Sequence, residues 1–305
     1  MRTIKKIVAF RNDRFGEFLL NIPAFRALKE KYTGSSLSVV VCPEVLELAK
    51  HINIIDELIP WESRKHSLPE VLEFSRKLKS GAFDAAVMLN PKKEFNLAVY
   101  LAGIPVRVGY NRKWGFLLTH KMKDLKSQGA KHEVEYNLEL VKLIGAETAD
   151  KGVALDNIPE ILDYRNAIAV HPYTSDPVKL WPIERFKELV NKISREFKER
   201  VIIIGKSESR IDWGDGVSDL TNKTSLVELA GILKNCRLLI SGDSGPAHLA
   251  GSVDTPAVAL FRNDLQGKNP ERWGPWSKDN VVIAKSSLKD ISVDEVLKAL
   301  TGSKL

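Results

Sequence analysis

The sequence predicts an α/β protein with two doubly wound, Rossmann-like domains, each built on a parallel sheet and facing a common cleft. Short, nearly continuous apolar runs alternate with longer amphipathic segments, which is typical of parallel strands covered by helices on both faces. The pattern stops near Gly145 and begins again at Ala167. A chain of 305 residues is also long enough for two domains of about 150 residues each.

The predicted strands are the apolar, β-branched runs, four in the first half and five in the second: 4–10, 37–42, 83–89, 105–110, 167–171, 200–205, 237–242, 256–261 and 280–284. The predicted helices are the amphipathic segments between them: 17–32, 68–79, 134–144, 183–197, 225–233 and 293–300.

A polar segment without clear periodicity, residues 147–166, separates the two halves. We therefore predict domains at 1–158 and 159–305, and the last helix could pack back on the first domain. In doubly wound sheets, ligands bind beyond the carboxyl ends of the strands. The loops where we expect a site are 11–17, 90–94, 171–181, 205–212 and 242–248.

Composition indicates a soluble protein, with 44% hydrophobic and 28% charged residues. No apolar run approaches the roughly 18 residues of a membrane helix, and the first apolar run is too short for a signal peptide. We expect a cytoplasmic protein. Cys42 and Cys236 each adjoin an apolar run, which favours two buried thiols over a disulfide or a metal site.

The net charge of +7 lies entirely in the first half, where residues 1–155 contain 25 Lys and Arg against 18 Asp and Glu. Such an excess favours an anionic partner, namely nucleic acid, a membrane surface or a phosphorylated substrate, with a solvated surface as the alternative. No nucleic-acid-binding motif is visible. Residues 92–131 contain nine basic residues, opposed only by Glu94 and Asp124 and interleaved with Trp114 and Phe116.

The loop after the first predicted strand, Arg11-Asn12-Asp13-Arg14-Phe15-Gly16-Glu17, lacks the GxGxxG and GxxxxGK[ST] phosphate-binding patterns. Gly16 would permit a tight turn between strand and helix. Glu17 falls at the predicted start of a helix, where the dipole favours a carboxylate. It is therefore a candidate catalytic acid or base, with a helix-capping role as the alternative.

Two loops in the second half could bind an anion. After strand 167–171 come Thr174, Ser175 and Lys179, followed by Trp181, which could contact a ring. In Ser241-Gly242-Asp243-Ser244-Gly245-Pro246-Ala247-His248, two glycines would allow close backbone approach, and the helix that follows offers free N–H groups. A hydrolase triad is disfavoured because no G-x-S-x-G motif is present.

Three segments, in this order, resemble the heptosyltransferase family, glycosyltransferase family 9. They are RNDRFGEFLLNIPAFRALKEKY, HPYTSDPVKLWPIERFKELVNKI and LTNKTSLVELAGILKNCRLLISGDSGPAHLAGSVDTPAVALF. The resemblance implies a GT-B fold, in which the first domain receives a lipid-linked, anionic lipopolysaccharide-core acceptor and the second binds an ADP-sugar such as ADP-heptose. It also implies inversion at the anomeric carbon without a metal or other cofactor. Peripheral contact with the cytoplasmic face of the inner membrane would suit such an acceptor.

The same resemblance assigns residues. Glu17 would be the general base, although the family pattern has Asp after this glycine. The predicted donor-binding residues are Thr174, Ser175, Lys179, Glu208, Asp243, Ser244, Gly245 and His248. The predicted acceptor-binding residues are Asp13 and, on the charge placement within residues 92–131 rather than on the resemblance alone, Lys92, Lys93, Arg112 and Lys113. No Asp-x-Asp pair is present to bind a metal, so the leaving group would depend on Lys179 and helix N–H groups. The alternatives are a GT-B transferase or epimerase for another nucleotide sugar, and a non-catalytic nucleotide-sugar-binding protein.

Overall fold

In a computed structural model, which describes residues 3–302, the chain forms two compact units. The first comprises the chain up to Lys126 together with residues 133–152, and the second comprises residues 127–132 together with the chain from Val153 onward. The assignment of acceptor and donor to the two halves stays a prediction.

The first unit contains a six-stranded parallel sheet in the order β3-β2-β1-β4-β5-β6. Its strands are β1 (Lys6–Phe10), β2 (Ser36–Val41), β3 (Glu57–Pro60), β4 (Ala85–Met88), β5 (Val106–Tyr110) and β6 (His120–Met122). Its helices are α1 (Phe15–Leu19), α2 (Ile22–Lys31), α3 (Leu46–Ala49), α4 (Leu68–Ser80), α5 (Lys93–Leu101) and α6 (Glu133–Lys142).

The second unit repeats this topology, with the sheet order β12-β11-β10-β7-β8-β9 and all pairs parallel. Its strands are β7 (Ile168–His171), β8 (Val201–Ile203), β9 (Ser218–Asp219), β10 (Leu238–Gly242), β11 (Ala257–Arg262) and β12 (Val281–Lys285). Its helices are α7 (Ile183–Asn191), α8 (Leu226–Asn235), α9 (Gly245–Gly251), α10 (Pro270–Trp273) and α11 (Val293–Gly302). In each unit the first strand is central, so the strand order reverses beside it.

Aromatic side chains fill the cores on the sheet faces. The Phe10 ring of β1 lies 4.8 Å from that of Phe95 and 6.3 Å from that of Phe74. In the second unit, Trp181 is 1% exposed, and its indole N–H donates to the Ile291 carbonyl at 3.0 Å. The expectation that Trp181 contacts a ligand ring is therefore wrong, because the indole packs in the core.

All nine predicted strands are present, and three further strands, β3, β6 and β9, lie at or beside sheet edges. These three were missed because they are at most four residues long and only partly apolar. Both cysteines are free and buried, as predicted. Helix α11 packs within the second unit against α7 and β11, and Val296 and Leu300 join its core.

The helix predicted over 17–32 is divided into α1 and α2. The Asn21 side chain donates to the Glu17 and Phe18 carbonyls, which satisfies acceptors at the end of α1. Pro23, in the first turn of α2, suits a helix start but not a helix interior. Gly16 lies buried inside α1 with a negative φ, so the expectation that it forms a tight turn is wrong.

Candidate active site

The loop after β1 leaves the sheet beside the point where the strand order reverses, and its side chains are tightly held. The Asn12 amide is buried and donates to the Trp61 and Glu62 carbonyls at 3.2 and 3.1 Å, just beyond β3. The loop is thereby joined to the ends of two strands, which fixes the direction in which Asp13 and Glu17 leave it.

A buried network of alternating charges lies at the end of β1. The Arg11 guanidinium, 4% exposed, donates to Asp13 Oδ1 at 2.8 Å and to Glu133 Oε1 at 3.4 Å. Glu133 is 1% exposed and also pairs with the Lys126 ammonium, which donates to Asn137 Oδ1 at 3.1 Å. Two cations face two carboxylates, so each buried charge is compensated. Lys126, one of the nine basic residues counted between positions 92 and 131, is therefore a core residue.

Two carboxylates lie close together along the chain here, Asp13 on the loop after β1 and Glu17 in the first turn of α1. Burial raises the pKa of Asp13 above its usual value, the Arg11 charge opposes that rise, and the charge of Glu17 adds to it. Glu17 is 12% exposed, sits in the first turn of α1, and pairs with the Arg14 guanidinium, which is 75% exposed. A nearly buried carboxylate in this position can accept a proton once the exposed Arg14 side chain moves aside.

The predicted acceptor-binding cations separate into two groups. Burial lowers the pKa of Lys92, while the charge of nearby Asp13 opposes that fall, so Lys92 belongs with the carboxylate loop. Lys93 begins α5 and is exposed. Arg112 and Lys113 lie on the exposed loop after β5, where Arg112 pairs with Asp124 at 2.6 Å.

In the second unit, the predicted donor-binding loops follow the adjacent strands β7, β8 and β10. The Lys179 ammonium forms an ion pair with Asp243, and the two side chains are 18% and 11% exposed. A Cβ at Gly242 would lie 3.4 Å from the Lys179 carbonyl oxygen, an ordinary contact distance, so the two segments lie side by side. Two residues predicted from separate motifs are thus brought together.

A hydrogen-bonded chain that sequence reasoning missed supports the same loop. His171 Nδ1 lies 3.1 Å from Ser241 Oγ, which lies 2.7 Å from Ser244 Oγ. His171 is buried, and burial lowers its pKa to about 4, so the ring is neutral near pH 7. Ser241 and His171 are register partners at the ends of β10 and β7, a pairing that depends on strand order and has no local sequence signal.

The other predicted donor-binding residues differ from one another in their contacts and their exposure. Thr174 Oγ1 accepts the Asp176 N–H at 3.1 Å and closes a turn, while Ser175 and Glu208 are exposed. Gly245 begins α9 directly after Ser244. His248 is 5% exposed, and its ring lies 6.3 Å from that of Trp273. Binding of a donor by these residues stays a prediction.

Comparison with known proteins agrees with this architecture. The family model of glycosyltransferase family 9 (heptosyltransferase) matches residues 71–298. The lipopolysaccharide core heptosyltransferase OpsX of Haemophilus influenzae is 24% identical over 304 residues, covering 91% of this chain and 84% of OpsX.

Solved structures show the same fold. A family 9 glycosyl transferase from Veillonella parvula has a TM-score of 0.83 and 21% identity, covering 99% of this chain and 98% of its own. The E. coli heptosyltransferase WaaC, solved with ADP, has a TM-score of 0.78 and 19% identity, covering 97% and 99%. The protein is therefore a two-domain α/β protein of the GT-B type. It belongs to glycosyltransferase family 9, as the sequence motifs predicted.

Replacing Arg11 with Met tests the buried network. The change leaves Asp13 without its 2.8 Å ion pair and removes one cation from Glu133. We expect the free energy of unfolding to fall by about 3–5 kcal/mol, because uncompensated buried charges are costly. Lys50→Met, which removes an exposed ion pair with Glu47, is the control and should change stability by less than about 1 kcal/mol. Denaturant unfolding gives the free energy of unfolding of both variants. If both lose the same stability, the buried network contributes no more than an exposed ion pair.

The lowered pKa of His171 predicts that the free energy of unfolding depends on pH. Its folded pKa of about 4 lies below the unfolded value of 6.5, so between these values the unfolded chain binds the extra proton. The contribution of neutral, buried His171 to the free energy of unfolding is therefore complete above pH 6.5. It is lost as the pH falls towards 4, a change of about 3 kcal/mol. Unfolding free energies of the wild type and His171→Gln, measured from pH 7.5 to 4, should therefore converge as the pH falls. Parallel curves would contradict the assignment.

Proposed function

We propose that this protein transfers heptose from ADP-heptose, with inversion, to an anionic, lipid-linked acceptor of the lipopolysaccharide-core type. Membership of family 9 makes it a glycosyltransferase. The donor and acceptor are suggested by relatives, since OpsX is named a lipopolysaccharide core heptosyltransferase and WaaC was solved with ADP. The observation that carries the proposal is Glu17, a nearly buried carboxylate in the first turn of α1 at the carboxyl end of the central strand.

Glu17 would act as general base. It would take the proton from the acceptor hydroxyl as that oxygen bonds to the anomeric carbon and the bond to the ADP phosphate breaks on the opposite face. One displacement of this kind inverts the anomeric configuration. Arg14, mostly exposed, would release Glu17 when the acceptor hydroxyl takes its place. Asp13, held by Arg11, would orient the acceptor.

Lys179 would stabilise the departing diphosphate. Its ammonium is held by Asp243 at the loop that leads into α9, so phosphate oxygens would compete with that carboxylate. The first N–H groups of a helix favour negative charge, and the α9 N–H groups would add to Lys179. We propose that these groups serve in place of a metal ion, which predicts turnover that is unchanged by EDTA.

Glu17→Gln tests the base. The substitution keeps the shape but cannot accept the proton, so we expect kcat to fall by about 10²–10⁴-fold with donor affinity nearly unchanged. Glu17→Asp, which restores the usual family residue, should retain much more activity than Glu17→Gln. The control is Glu47→Gln, an exposed carboxylate in the same unit. Steady-state transfer assays provide kcat, and wild-type turnover in Glu17→Gln would refute the role.

Lys179→Ala tests the donor site. We expect ADP binding, measured by calorimetry, to weaken on the order of tenfold or more, because a charge-assisted hydrogen bond is lost. Lys187→Ala, on α7, is the matched control and should bind ADP normally. ADP should also bind more tightly than UDP to the wild type. Equal or tighter UDP binding would argue against a heptose donor while leaving glycosyl transfer intact.

Changing Lys92, Lys93, Arg112 and Lys113 together to Gln tests acceptor capture. We expect the acceptor KM to rise on the order of tenfold while the affinity for ADP is unchanged, because only charges on the first unit are removed. The wild-type KM should also rise with salt, since exposed charges are screened. An acceptor KM that responds to neither change would remove these residues from the acceptor site.

A further inference from the structure

The loop between β5 and β6 presents large apolar side chains to solvent. Phe116 is 71% exposed and Trp114 is 47% exposed, and on neighbouring α5 Tyr100 and Leu101 are 50% and 43% exposed. Isolated exposed apolar residues are common, but adjacent aromatic ones on a single loop indicate an interaction surface. None of these four residues belongs to the acceptor or donor residues assigned above.

Hydrogen bonds and packing hold this loop in place, so its aromatic residues are presented outward by a fixed backbone. The Arg107 guanidinium donates to the Leu117 and Ile104 carbonyls at 2.8 and 2.5 Å. The Asn96 amide donates to the Lys113 carbonyl at 2.8 Å. Leu118 points inward and is 6% exposed, which anchors the end of the loop in the core beneath the sheet.

The backbone before the turn has an unusual conformation. Lys113 and Trp114 have φ values of 50° and 68°, the left-handed region that bulky residues rarely adopt. Two such residues in succession direct the chain so that Phe116 lies on the outer side while Leu118 returns to the core. Unfavourable backbone conformations of this kind persist where the surrounding contacts enforce them, and they are frequent at binding surfaces.

The charge around the loop is mostly positive, with Asp124 as the acidic residue beside it. Between Glu94 and Asp124 the sequence has no acidic residue but five Lys and Arg. Arg112 is neutralised by Asp124, whereas Lys113, Lys121 and Lys123 are exposed. Aromatic side chains beside exposed lysines are the combination that binds the interface of an anionic lipid bilayer, with the rings at headgroup depth and the ammonium groups on the phosphates.

We propose that Trp114, Phe116, Lys121 and Lys123 form a docking surface for an anionic membrane. The proposal extends the proposed function, because an enzyme whose acceptor is lipid-linked must work at a bilayer surface. Bilayer phosphates complement the exposed ammonium groups of Lys113, Lys121 and Lys123 around the loop. Within the described residues no helix is long and apolar enough to cross a membrane, so this surface would act by peripheral contact.

Vesicle sedimentation with the full chain tests the surface without any need for catalysis. We expect binding to phosphatidylcholine vesicles containing phosphatidylglycerol that weakens with salt, and weaker binding to phosphatidylcholine alone that is nearly independent of salt. Trp114→Asn with Phe116→Ser should weaken binding at least about tenfold, since two interfacial aromatic contacts are lost. Asn tolerates the left-handed backbone at position 114. Lys121→Gln with Lys123→Gln should weaken binding by about fivefold per lysine.

Phe197→Ser is the matched control, because Phe197 is 48% exposed but lies in the second unit. This variant should bind vesicles like the wild type. All variants are also assayed for transfer to a delipidated acceptor, which should proceed at the wild-type rate. Absence of vesicle binding by the wild type, or binding that none of the loop variants reduces, would overturn the docking surface even if transfer continues. If instead the wild type binds vesicles but transfers no sugar, the proposed function is contradicted and the docking surface is not.

Discussion

The pairing of Arg11 with Glu133 is the interaction that organises the first unit at its site. Burying a charge costs several kcal/mol unless its partners are close, so Arg11, Asp13, Glu133 and Lys126 are stable only as a set. Because these residues come from the end of β1, the segment before α6 and α6 itself, the set joins parts of the chain more than 100 residues apart. The positions of Asp13 and Glu17 follow from that junction.

The second unit holds its loop in a different way. Its chain of hydrogen bonds from His171 through Ser241 to Ser244 is neutral, because the buried imidazole has a lowered pKa. The ion pair of Lys179 with Asp243 is partly exposed, so Lys179 can exchange partners with an anion. The two units thus share a topology but differ in their candidate sites. In the first unit, rearranging the buried charges would cost several kcal/mol, whereas in the second unit Lys179 can change partners.

The basic residues of the first half differ in their burial and in their partners. Lys126 is compensated in the core, and Lys92 lies half-buried near Asp13. Lys121 and Lys123 are exposed at an edge strand beside the aromatic loop. A net charge counted along the chain cannot separate these roles, since it records neither depth nor partner. Burial determines how strongly a lysine affects the free energy of unfolding. Breaking its pair with a carboxylate costs little on a solvated surface and several kcal/mol in the core.

The amino-acid sequence was sufficient to predict two parallel-sheet units, nine of the strands and the family, because periodicity and motif order are local properties that survive without knowledge of contacts. It also identified Lys179 and Asp243 as residues of interest. Only the tertiary structure showed that these two are paired, that Glu133 and Lys126 lie beneath the β1 loop, and that Trp181 belongs to the core. The physical reason is that strand order and burial bring together residues distant in sequence. The strength of a charge or hydrogen bond depends on those neighbours rather than on the residue type.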